Sequence, residues 1–403
     1  MSIRHPYKIS KRGKMAKVVI AMSGGLDSSV AAALLKRADF ALPQGQGNLE
    51  RSRRVDVIGV FIKFWSAPHQ NFGGGSNRCC SLEAEVRARK VAEILKIPFY
   101  VFNFEKEFKK KIVDYFLREY KKGRTPNPCV VCNKEIKFGL LLKKALVLDA
   151  DYIATGHYAR KRETKNYKLK TINYKLLRAK DKNKDQSYFL WMLNQGQLRR
   201  ILFPIGDYTR KEVENLARKF KLPVLKARKS VEICFIQTTI NDFLARHLKQ
   251  KPGQIIYSTP EVGYRVIGQH QGLAFYTIGQ RKGIGLSGGP WYVMDKDLKK
   301  NLLIVTKNEK DLLKKELICK NVNWILGKEP RLLGEARPFR AAKLPLKIKA
   351  KIRYRHQLAS ATIYKLSTTC YKLTFDRPQR AITPGQSAVF YRGEELLGGG
   401  III

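Results

Sequence analysis

The sequence is poor in acidic side chains. Only 33 Asp and Glu stand against 79 Lys and Arg in 403 residues, which gives a formal net charge of +46. Such a chain attracts polyanions, because each phosphate that it neutralises releases condensed counterions. We therefore expect nucleic acid as a partner, although most of the individual Lys and Arg are solvated surface charges. Hydrophobic residues make up 44% of the chain, which excludes wholesale disorder.

Long apolar runs are also missing. No apolar segment approaches the roughly 18 residues that a membrane-spanning helix needs, so we expect no membrane partner. Residues 1–17 are basic but lack the apolar stretch of a secretory signal, and they are typical of a short basic arm or an organellar presequence. The seven cysteines are an odd number, which argues against a secreted disulfide framework and favours a reducing compartment. A cytoplasmic protein is the expectation.

A glycine-rich turn lies near the N-terminus, between a predicted strand and a predicted helix. Residues 21–30 read AMSGGLDSSV. Gly24 and Gly25 let the backbone approach an anion closely, and Asp27 or Ser28 is expected to cap a helix whose N-terminus attracts phosphate. The turn lacks the Gly-Lys-Ser/Thr ending of a Walker A loop. It therefore predicts a cradle for pyrophosphate rather than a site of γ-phosphoryl transfer.

The residue pattern of the chain changes twice along its length. From residue 17 to about 154, short β-branched or aromatic runs alternate with helical segments, which predicts an α/β domain whose parallel sheet binds ligands beyond its carboxyl ends. Glycine- and β-rich sequence follows from about 251, and alternation typical of a small antiparallel barrel or sandwich begins near 312. The predicted domains are an α/β domain over 1–236, a small β-rich central domain over 237–310 and a C-terminal β-barrel over 311–403.

The segment 123–139, GRTPNPCVVCNKEIKFG, is the most specific in the chain. Pro126 and Pro128 predict a stiff, extended approach to the cysteine pair. A helix is expected over 134–148, opened by Cys132. A cysteine at a helix N-terminus has a lowered pKa and is a credible nucleophile.

Other interpretations of the cysteines remain open. Cys129 and Cys132 form a C-x-x-C pair, which also suits half of a zinc site or two buried small hydrophobic residues. A tetrahedral zinc site normally needs a second ligand pair, and no second C-x-x-C or paired His supplies it. The adjacent Cys79 and Cys80 keep a metal site open. The apolar run ICFI predicts a buried strand that carries Cys234.

In combination, these motifs resemble those of the tRNA-specific 2-thiouridylases, members of the PP-loop ATP pyrophosphatase superfamily. The chain is most similar to a cysteine-rich subset with the pattern NPCxxCN, and the resemblance runs from residue 17 to the end. The motifs that carry it are SGGLDSS, GRTPNPCVVCNKEIKFG, ATGHYAR from Ala154, DQSYFL from Asp185, ICFI from Ile233, GQHQGLAFYTIGQRKGIG ending at Gly285, and TPGQSAVFYRGEELLGGG from Thr383.

The resemblance implies an enzyme that replaces the C2 oxygen of the wobble uridine of tRNA by sulfur. It implies that ATP first adenylates this oxygen, because a urea-like oxygen is a poor leaving group. Mg²⁺ would offset the charge of the pyrophosphate. The nucleotide site implied by the resemblance consists of Ala21, Met22, Ser23, Gly24, Gly25, Leu26, Asp27, Ser28, Ile62 and Gly156.

The resemblance also implies a route for the sulfur. Cys234 would accept it as a persulfide from a donor protein, either a cysteine desulfurase or a persulfide relay. Cys132 would then attack the persulfide and close a transient disulfide. Many relatives carry Asp at the position of Cys129, so the role of this residue, as a base or in placing the target base, is open. The alternative is a [4Fe-4S] cluster held by the same three cysteines, with one iron left open for hydrosulfide.

Contacts to tRNA are implied in the same way. The target base must leave its stack to be modified, and Arg353 with Tyr354 offers a phosphate-binding charge beside a stacking face. His157 would flank the site, although it also suits a buried core histidine. The implied tRNA contacts are Asn127, Pro128, Cys129, His157, Lys184, Asp185, Gln186, Arg353, Tyr354 and Gln386.

Two further functions are compatible with parts of the sequence. One is ligation or amidation, as catalysed by other PP-loop enzymes, which leaves the cysteines without a role. The other is an RNA-binding protein with a vestigial nucleotide fold, for which the basic charge alone is a sufficient explanation.

Overall fold

The computed structural model describes residues 16–37, 55–65, 81–166, 171–225, 233–259, 263–327, 329 and 345–403. Cys79 and Cys80 lie outside these residues. Within them, no helix has both the length and the apolar character needed to cross a membrane.

Helices and strands alternate in the first part of the chain, and strands dominate the second. The first part contains β1 (Lys17–Ala21), α1 (Leu26–Lys36), β2 (Asp56–Lys63), α2 (Leu82–Ile94), β3 (Phe99–Asn103), α3 (Glu105–Phe108), α4 (Asp114–Lys121), α5 (Pro128–Cys132), α6 (Leu141–Val147), β4 (Tyr152–Ala154), β5 (Ala159–Asn166), β6 (Thr171–Arg178), α7 (Gln195–Arg200), β7 (Ile201–Leu202) and α8 (Arg210–Lys219). The second part contains α9 (Ile240–His247), β8 (Gly253–Thr259), β9 (Gly263–His270), β10 (Tyr292–Asp297), β11 (Leu302–Thr306), β12 (Leu313–Trp324), β13 (Leu346–Lys351), β14 (Ala359–Lys365), β15 (Tyr371–Arg380), β16 (Ser387–Arg392) and β17 (Glu395–Ile402). Two π-helical segments, Lys109–Val113 and Asn133–Leu140, join α3 to α4 and α5 to α6.

The first sheet is parallel and confirms the predicted α/β fold. Its order is β3-β2-β1-β4-β7, with every neighbouring pair parallel. Side chains of β1 alternate between two hydrophobic clusters: Val19 joins one, while Val18 and Ile20 join the other. This central strand is therefore buried on both faces. The strand order reverses beside β1, and ligands of such sheets bind in the crevice at that point.

The remaining strands form a small central sheet and a barrel. The central sheet has the order β10-β11-β8-β9. The six strands β12, β15, β14, β13, β16 and β17 form an antiparallel sheet that closes through pairing of β12 with β17. The C-terminal domain is thus a closed barrel rather than a sandwich, and closure removes the exposed sheet edges.

A hairpin of the first part extends this barrel, which the sequence did not predict. Strand β6 pairs with β17 through Leu176 and Leu396, and β5 continues the sheet beyond it. The Arg178 N–H donates to the Glu394 carbonyl over 2.8 Å. A continuous hydrogen-bonded sheet therefore ties the N-terminal part to the barrel.

The cysteine-bearing helix begins at Pro128, so its predicted start at 134 was wrong. Asn127 Oδ1 accepts from the Val130 N–H over 3.4 Å, and Pro128 occupies the first helical position. Proline is favoured there because its fixed φ suits the helix and its missing N–H has no helical partner. Cys129 consequently lies in the first turn and Cys132 follows one turn later. The helix-dipole argument applies to Cys129 rather than to Cys132.

Residues 233–236 form a turn, so the predicted buried strand was also wrong. The apolar character of this run has a different cause. The Phe235 ring lies 5.3 Å from Phe116, 5.5 Å from Phe243 and 5.8 Å from Phe108, measured between ring centroids. Burial in this aromatic cluster anchors the segment that carries Cys234.

Candidate nucleotide and thiol site

The turn between β1 and α1 requires glycine at one position in particular. Gly24 has φ +68°, and a Cβ there would lie 2.1 Å from the Ala84 carbonyl oxygen at the start of α2. Gly25 is the N-cap of α1, with φ −93°. The expectation that Asp27 or Ser28 caps the helix was therefore wrong. Because a glycine cap has no side chain, the first N–H groups of α1 are available to an anionic ligand.

Serine side chains close the turn internally. Ser28 Oγ accepts from the Ser23 N–H over 3.1 Å and donates to the Gly25 carbonyl over 3.2 Å. Ser29 Oγ donates to the same carbonyl over 2.8 Å. These bonds hold the turn in shape before any ligand arrives.

Asp27 sits among cations and a phenol. Its Oδ1 accepts from Tyr158 Oη over 2.9 Å and from Arg210 Nη1 over 2.8 Å. Burial raises the pKa of the Asp27 carboxyl, while Arg210, Tyr158 and nearby Lys184 lower it. Sequence reasoning missed Tyr158 and Arg210 as members of this site. Tyr158 could have been found, since it lies within the ATGHYAR motif, whereas Arg210 carried no local signal.

The other predicted nucleotide residues lie along the same edge of the sheet. A Cβ on Gly156 would come within 2.6 Å of the Ser28 nitrogen, so this glycine packs directly on the first turn of α1. Ile62 follows Val60, the residue of β2 that pairs with Ala21. Met22 and Leu26 bury their side chains, at 2% and 7% exposure, which leaves only their backbone to meet a ligand.

The segment that precedes the cysteine helix is held by two other domains. We call residues 123–127 the strap. The Thr125 N–H donates to the Pro384 carbonyl over 2.9 Å, and Gln386 Nε2 donates to the Thr125 carbonyl over 3.0 Å. Thr125 and Thr277 hydroxyls are hydrogen-bonded at 3.1 Å. The structure therefore gives Gln386, a predicted tRNA contact, a role in holding the strap.

Three aromatic side chains in mutual contact face the start of the cysteine helix, and we call them the aromatic wall: Tyr188, Phe189 and Tyr354. Asn127 hydrogen-bonds with the Tyr188 side chain, whose hydroxyl also donates to the Ser387 carbonyl over 3.0 Å. The Tyr354 ring lies 4.5 Å from the Phe189 ring. Arg353, beside it, donates from Nη2 to the Arg380 carbonyl over 2.6 Å. The predicted contacts at 127 and at 353–354 thus meet around Tyr188 and Phe189, which sequence reasoning missed although the motif DQSYFL contains both.

Asn133, the residue after the cysteine pair, has an unused acceptor. Its Nδ2 donates to the Phe189 carbonyl over 3.1 Å, which fixes the orientation of the amide. Its Oδ1 is buried and finds no donor within the described part of the chain. A buried acceptor without a donor costs about 1–3 kcal/mol.

The thiols border one large hydrophobic cluster. Cys132 is 7% exposed and belongs to this cluster, and Cys234 packs against it. Cys129 and Cys234 are half-buried. Among the residues that the structure covers, no three His, Cys, Asp or Glu side chains are arranged to hold a metal ion. In this arrangement, Cys129, Cys132 and Cys234 do not fit the ligand set of an iron–sulfur cluster.

A chain of contacts connects the nucleotide turn with the cysteine helix. Asp27 accepts from the Tyr158 hydroxyl, and the Tyr158 N–H donates to Gln186 Oε1 over 3.0 Å. The Phe189 N–H donates to the Gln186 carbonyl over 3.0 Å, and the Phe189 carbonyl accepts from Asn133. Four hydrogen bonds thus link Asp27, beside the β1–α1 turn, to the residue that follows Cys132.

Two predicted tRNA contacts are engaged within the protein. His157 is buried, with Nδ1 2.8 Å from Thr155 Oγ1 and its ring 5.6 Å from that of Phe138. Burial lowers the pKa of His157 and nearby Lys137 lowers it further, which favours the neutral form of the ring. Asp185 is also buried, and its carboxylate accepts from Arg178 Nε over 2.9 Å. Both arrangements suit structural roles.

Three protein-family models match consecutive parts of the chain. Their descriptions are tRNA methyl transferase HUP domain over residues 16–238, tRNA methyl transferase PRC-barrel domain over 241–307, and Aminomethyltransferase beta-barrel domain over 314–402. The first of these covers more than half of the chain.

Relatives match over nearly the full length. The tRNA-specific 2-thiouridylase MnmA of Moorella thermoacetica is 44% identical over 388 residues, 95% of this chain and 98% of that protein. Its namesake in Carboxydothermus hydrogenoformans is 43% identical over 389 residues, 96% of this chain and 97% of that protein. The one in Alkaliphilus oremlandii is 41% identical over 401 residues, 98% of this chain and 99% of that protein. The chain therefore belongs to the tRNA-specific 2-thiouridylase family.

Proposed function

We propose that this protein uses ATP to replace the C2 oxygen of the wobble uridine of tRNA by sulfur. The observation that carries the proposal is the four-bond connection between Asp27, beside the β1–α1 turn, and Asn133, because it joins a turn suited to phosphate to the residue that follows Cys132. Ligation or amidation needs the turn alone, and simple RNA binding needs neither. The full-length relatives, all named for 2-thiolation, support the same conclusion.

The nucleotide turn activates the oxygen. Attack of the uridine C2 oxygen on the α-phosphate of ATP forms the adenylated base and releases pyrophosphate. The N–H groups of α1 and the cations Arg210 and Lys184 stabilise the pyrophosphate charge. Asp27 is the residue that would hold a Mg²⁺ ion here, and the ion would neutralise further charge on the pyrophosphate. AMP then becomes the leaving group at C2.

The cysteines deliver the sulfur. A donor protein, a cysteine desulfurase or a persulfide relay, leaves one sulfur on Cys234 as a persulfide. The Cys132 thiolate attacks the Cys234 sulfur, so that a Cys132–Cys234 disulfide forms and hydrosulfide leaves. Hydrosulfide attacks C2, AMP departs with the original oxygen, and the carbon–sulfur double bond remains. A dithiol reductant returns both cysteines to thiols. No step passes through an iron–sulfur cluster.

The target base is held by the strap and the aromatic wall. The extruded uracil contacts Asn127, Pro128 and Cys129. The anticodon arm approaches past four residues that either line its path or hold those that do: His157, Lys184, Asp185 and Gln186. The barrel contributes Arg353, Tyr354 and Gln386. The reaction takes place in the cytoplasm, where ATP, tRNA and thiol reductants occur together.

One reaction mixture separates the three candidate functions. The protein is incubated with ATP, Mg²⁺, a persulfide-generating cysteine desulfurase with cysteine, and an unmodified tRNA transcript with U at the wobble position. Nucleoside mass spectrometry measures 2-thiouridine and chromatography measures AMP. We expect equal amounts of both products, and neither from a transcript with C at that position. AMP without 2-thiouridine would point to another adenylating reaction, and the absence of both would point to an RNA-binding protein.

A further inference from the structure

A lysine of the central domain reaches into the base of the strap. Lys296, on β10, donates from Nζ to the Tyr276 carbonyl over 2.6 Å, to the Gly123 carbonyl over 2.7 Å and to the Leu273 carbonyl over 3.3 Å. Two of these carbonyls belong to the central domain, and the third opens the strap. All three N–H donors of the ammonium are therefore used by backbone oxygens.

The strap is shaped to fit this contact. Gly123 has φ +70°, and a Cβ there would lie 2.5 Å from Leu298 Cδ2. The Thr125–Thr277 hydroxyl contact extends the same junction. On the other side, Thr125 is held by Pro384 and Gln386 of the barrel. The strap is thus fixed between two domains, and Lys296 is the charged group of that junction on the central-domain side.

An ammonium bonded to three carbonyls is a demanding arrangement. Removing the ammonium would take a donor away from each of three carbonyls at a partly buried junction, those of Gly123, Leu273 and Tyr276. Buried polar groups without a partner are costly in free energy. Because its donors all point at backbone, this lysine is ill placed to bind RNA phosphates. It acts as an anchor, which means that it holds three backbone carbonyls together.

We propose that Lys296 is a positioning residue for thiolation, which fixes the strap through the Gly123 carbonyl and so places Asn127 and Cys129 against the target base. The inference rests on the proposed function. It gives the central domain a part in the geometry of the reaction, in addition to any contact with tRNA. A displacement of about 1 Å in such a site can lower the rate by about 100-fold.

The charge state of Lys296 provides a signature. Burial lowers the pKa of Lys296 to about 8, opposed by neighbouring Asp295. The other charged groups that line the adjoining cavity of about 420 Å³ are Lys122 and Arg124. Arg124 Nη1 lies 3.1 Å from Glu119 Oε2 in an ion pair. Above the pKa of Lys296, the neutral amine has only two N–H groups for three carbonyls. The anchor should therefore loosen as the pH rises through about 8.

The test compares Lys296→Met, Lys296→Arg and the control Lys299→Met, which removes an exposed lysine near the same strand. The kcat for 2-thiouridine and the Kd for tRNA are measured from pH 7 to 9.5. We expect Lys296→Met to lower kcat by about 10-fold to 100-fold with little change in Kd. Lys296→Arg, which stays charged, should keep measurable activity and lose the alkaline decline near pH 8. Lys299→Met should match the wild type throughout.

The outcomes separate this inference from the proposed function. If the wild type makes no 2-thiouridine, the proposed function is wrong. If the wild type makes it and Lys296→Met has an unchanged kcat, or if Lys296→Arg keeps the same alkaline decline, Lys296 is not the anchor. Hydrogen exchange of the strap amides gives a readout that needs no turnover. Exchange at Arg124 and Thr125 should become about 10-fold faster in Lys296→Met, and equal rates would overturn the proposal.

Discussion

The proposed nucleotide turn and the proposed target-base site are built in different ways. The turn is a short continuous segment, shaped by Gly24, Ser23 and Ser28, and it packs against the start of α2 in the same α/β domain. The base site combines the strap, the aromatic wall and the barrel residues 353–354. A local turn can keep its shape when distant domains change, whereas a composite site cannot. The two should therefore respond differently to substitution.

The largest expected effect is on sulfur delivery, which should fail while the nucleotide turn stays intact. Cys234→Ala should abolish 2-thiouridine formation with a persulfide donor, because the thiol that accepts the sulfur is gone. ATP and tRNA affinities should be unchanged, and millimolar sulfide should restore product by supplying hydrosulfide directly. Mass spectrometry of nucleosides provides the measurement.

The matched control for that variant is Cys370→Ala, which alters a half-buried cysteine of the barrel. It should behave as the wild type. Full activity of Cys234→Ala with the persulfide donor would remove Cys234 from the sulfur route.

The next effect tests whether the turn is locally determined. Gly24→Ala forces a residue into the left-handed region, which costs about 1–2 kcal/mol, and sets its Cβ against the Ala84 carbonyl. ATP affinity should fall by about 10-fold to 30-fold or more, with tRNA affinity retained. Gly263→Ala, at the start of β9, is the control, since its φ of +65° carries the same backbone cost but its Cβ would meet nothing within 4 Å. Calorimetric titration with ATP would contradict this account if both variants lost affinity equally.

A smaller effect is expected on the composite side. Replacing Arg353 and Tyr354 together by Ala should weaken tRNA binding by about 10-fold, through loss of stacking and of one phosphate contact. The slope of log affinity against log salt should fall by about 0.7–0.9. ATP affinity should not change. Tyr364→Ala, at an exposed tyrosine of β14, is the control. An unchanged salt slope would take Arg353 out of the interface.

The smallest effect concerns Asp27. Arg210→Gln removes a cation that lowers the pKa of the Asp27 carboxyl, so this pKa should rise. The acid limb of the pH–rate profile should then move to higher pH, and the KM for ATP should increase by about 5-fold. Arg218→Gln, on the exposed side of the same helix, is the control. If the pH–rate profile of Arg210→Gln superimposes on that of the wild type, ionisation of Asp27 does not control the rate.

The same contrast explains what the sequence could predict. The parallel sheet and the β1–α1 turn follow from local patterns, and the barrel follows from its alternating strands. The start of the cysteine helix was missed because Pro128 was taken to extend the chain, although proline also suits a first helical turn. The run at 233–236 was apolar because Phe235 enters an aromatic cluster, and burial alone does not distinguish a strand from a turn.

The contacts that assemble the site could not be predicted from local patterns. Asp27 meets Arg210, and Thr125 meets Gln386, across long separations in sequence. The same holds for pairing of the β5–β6 hairpin with β17. Each of these contacts depends on how the domains pack, and the local sequence around each residue does not indicate its partner. Lys296 is a similar case, because a lysine in a basic chain gives no sign that its donors all point inward.

The central claim is that the two thiols act together beside the nucleotide turn. Its most direct test is peptide mass spectrometry of the non-reduced protein after one turnover, with persulfide loaded on Cys234 and ATP, Mg²⁺ and tRNA added. We predict a Cys132–Cys234 disulfide in an amount equal to the 2-thiouridine formed. Product formed without that disulfide, or with Cys234 joined to a cysteine of the barrel, would contradict the account.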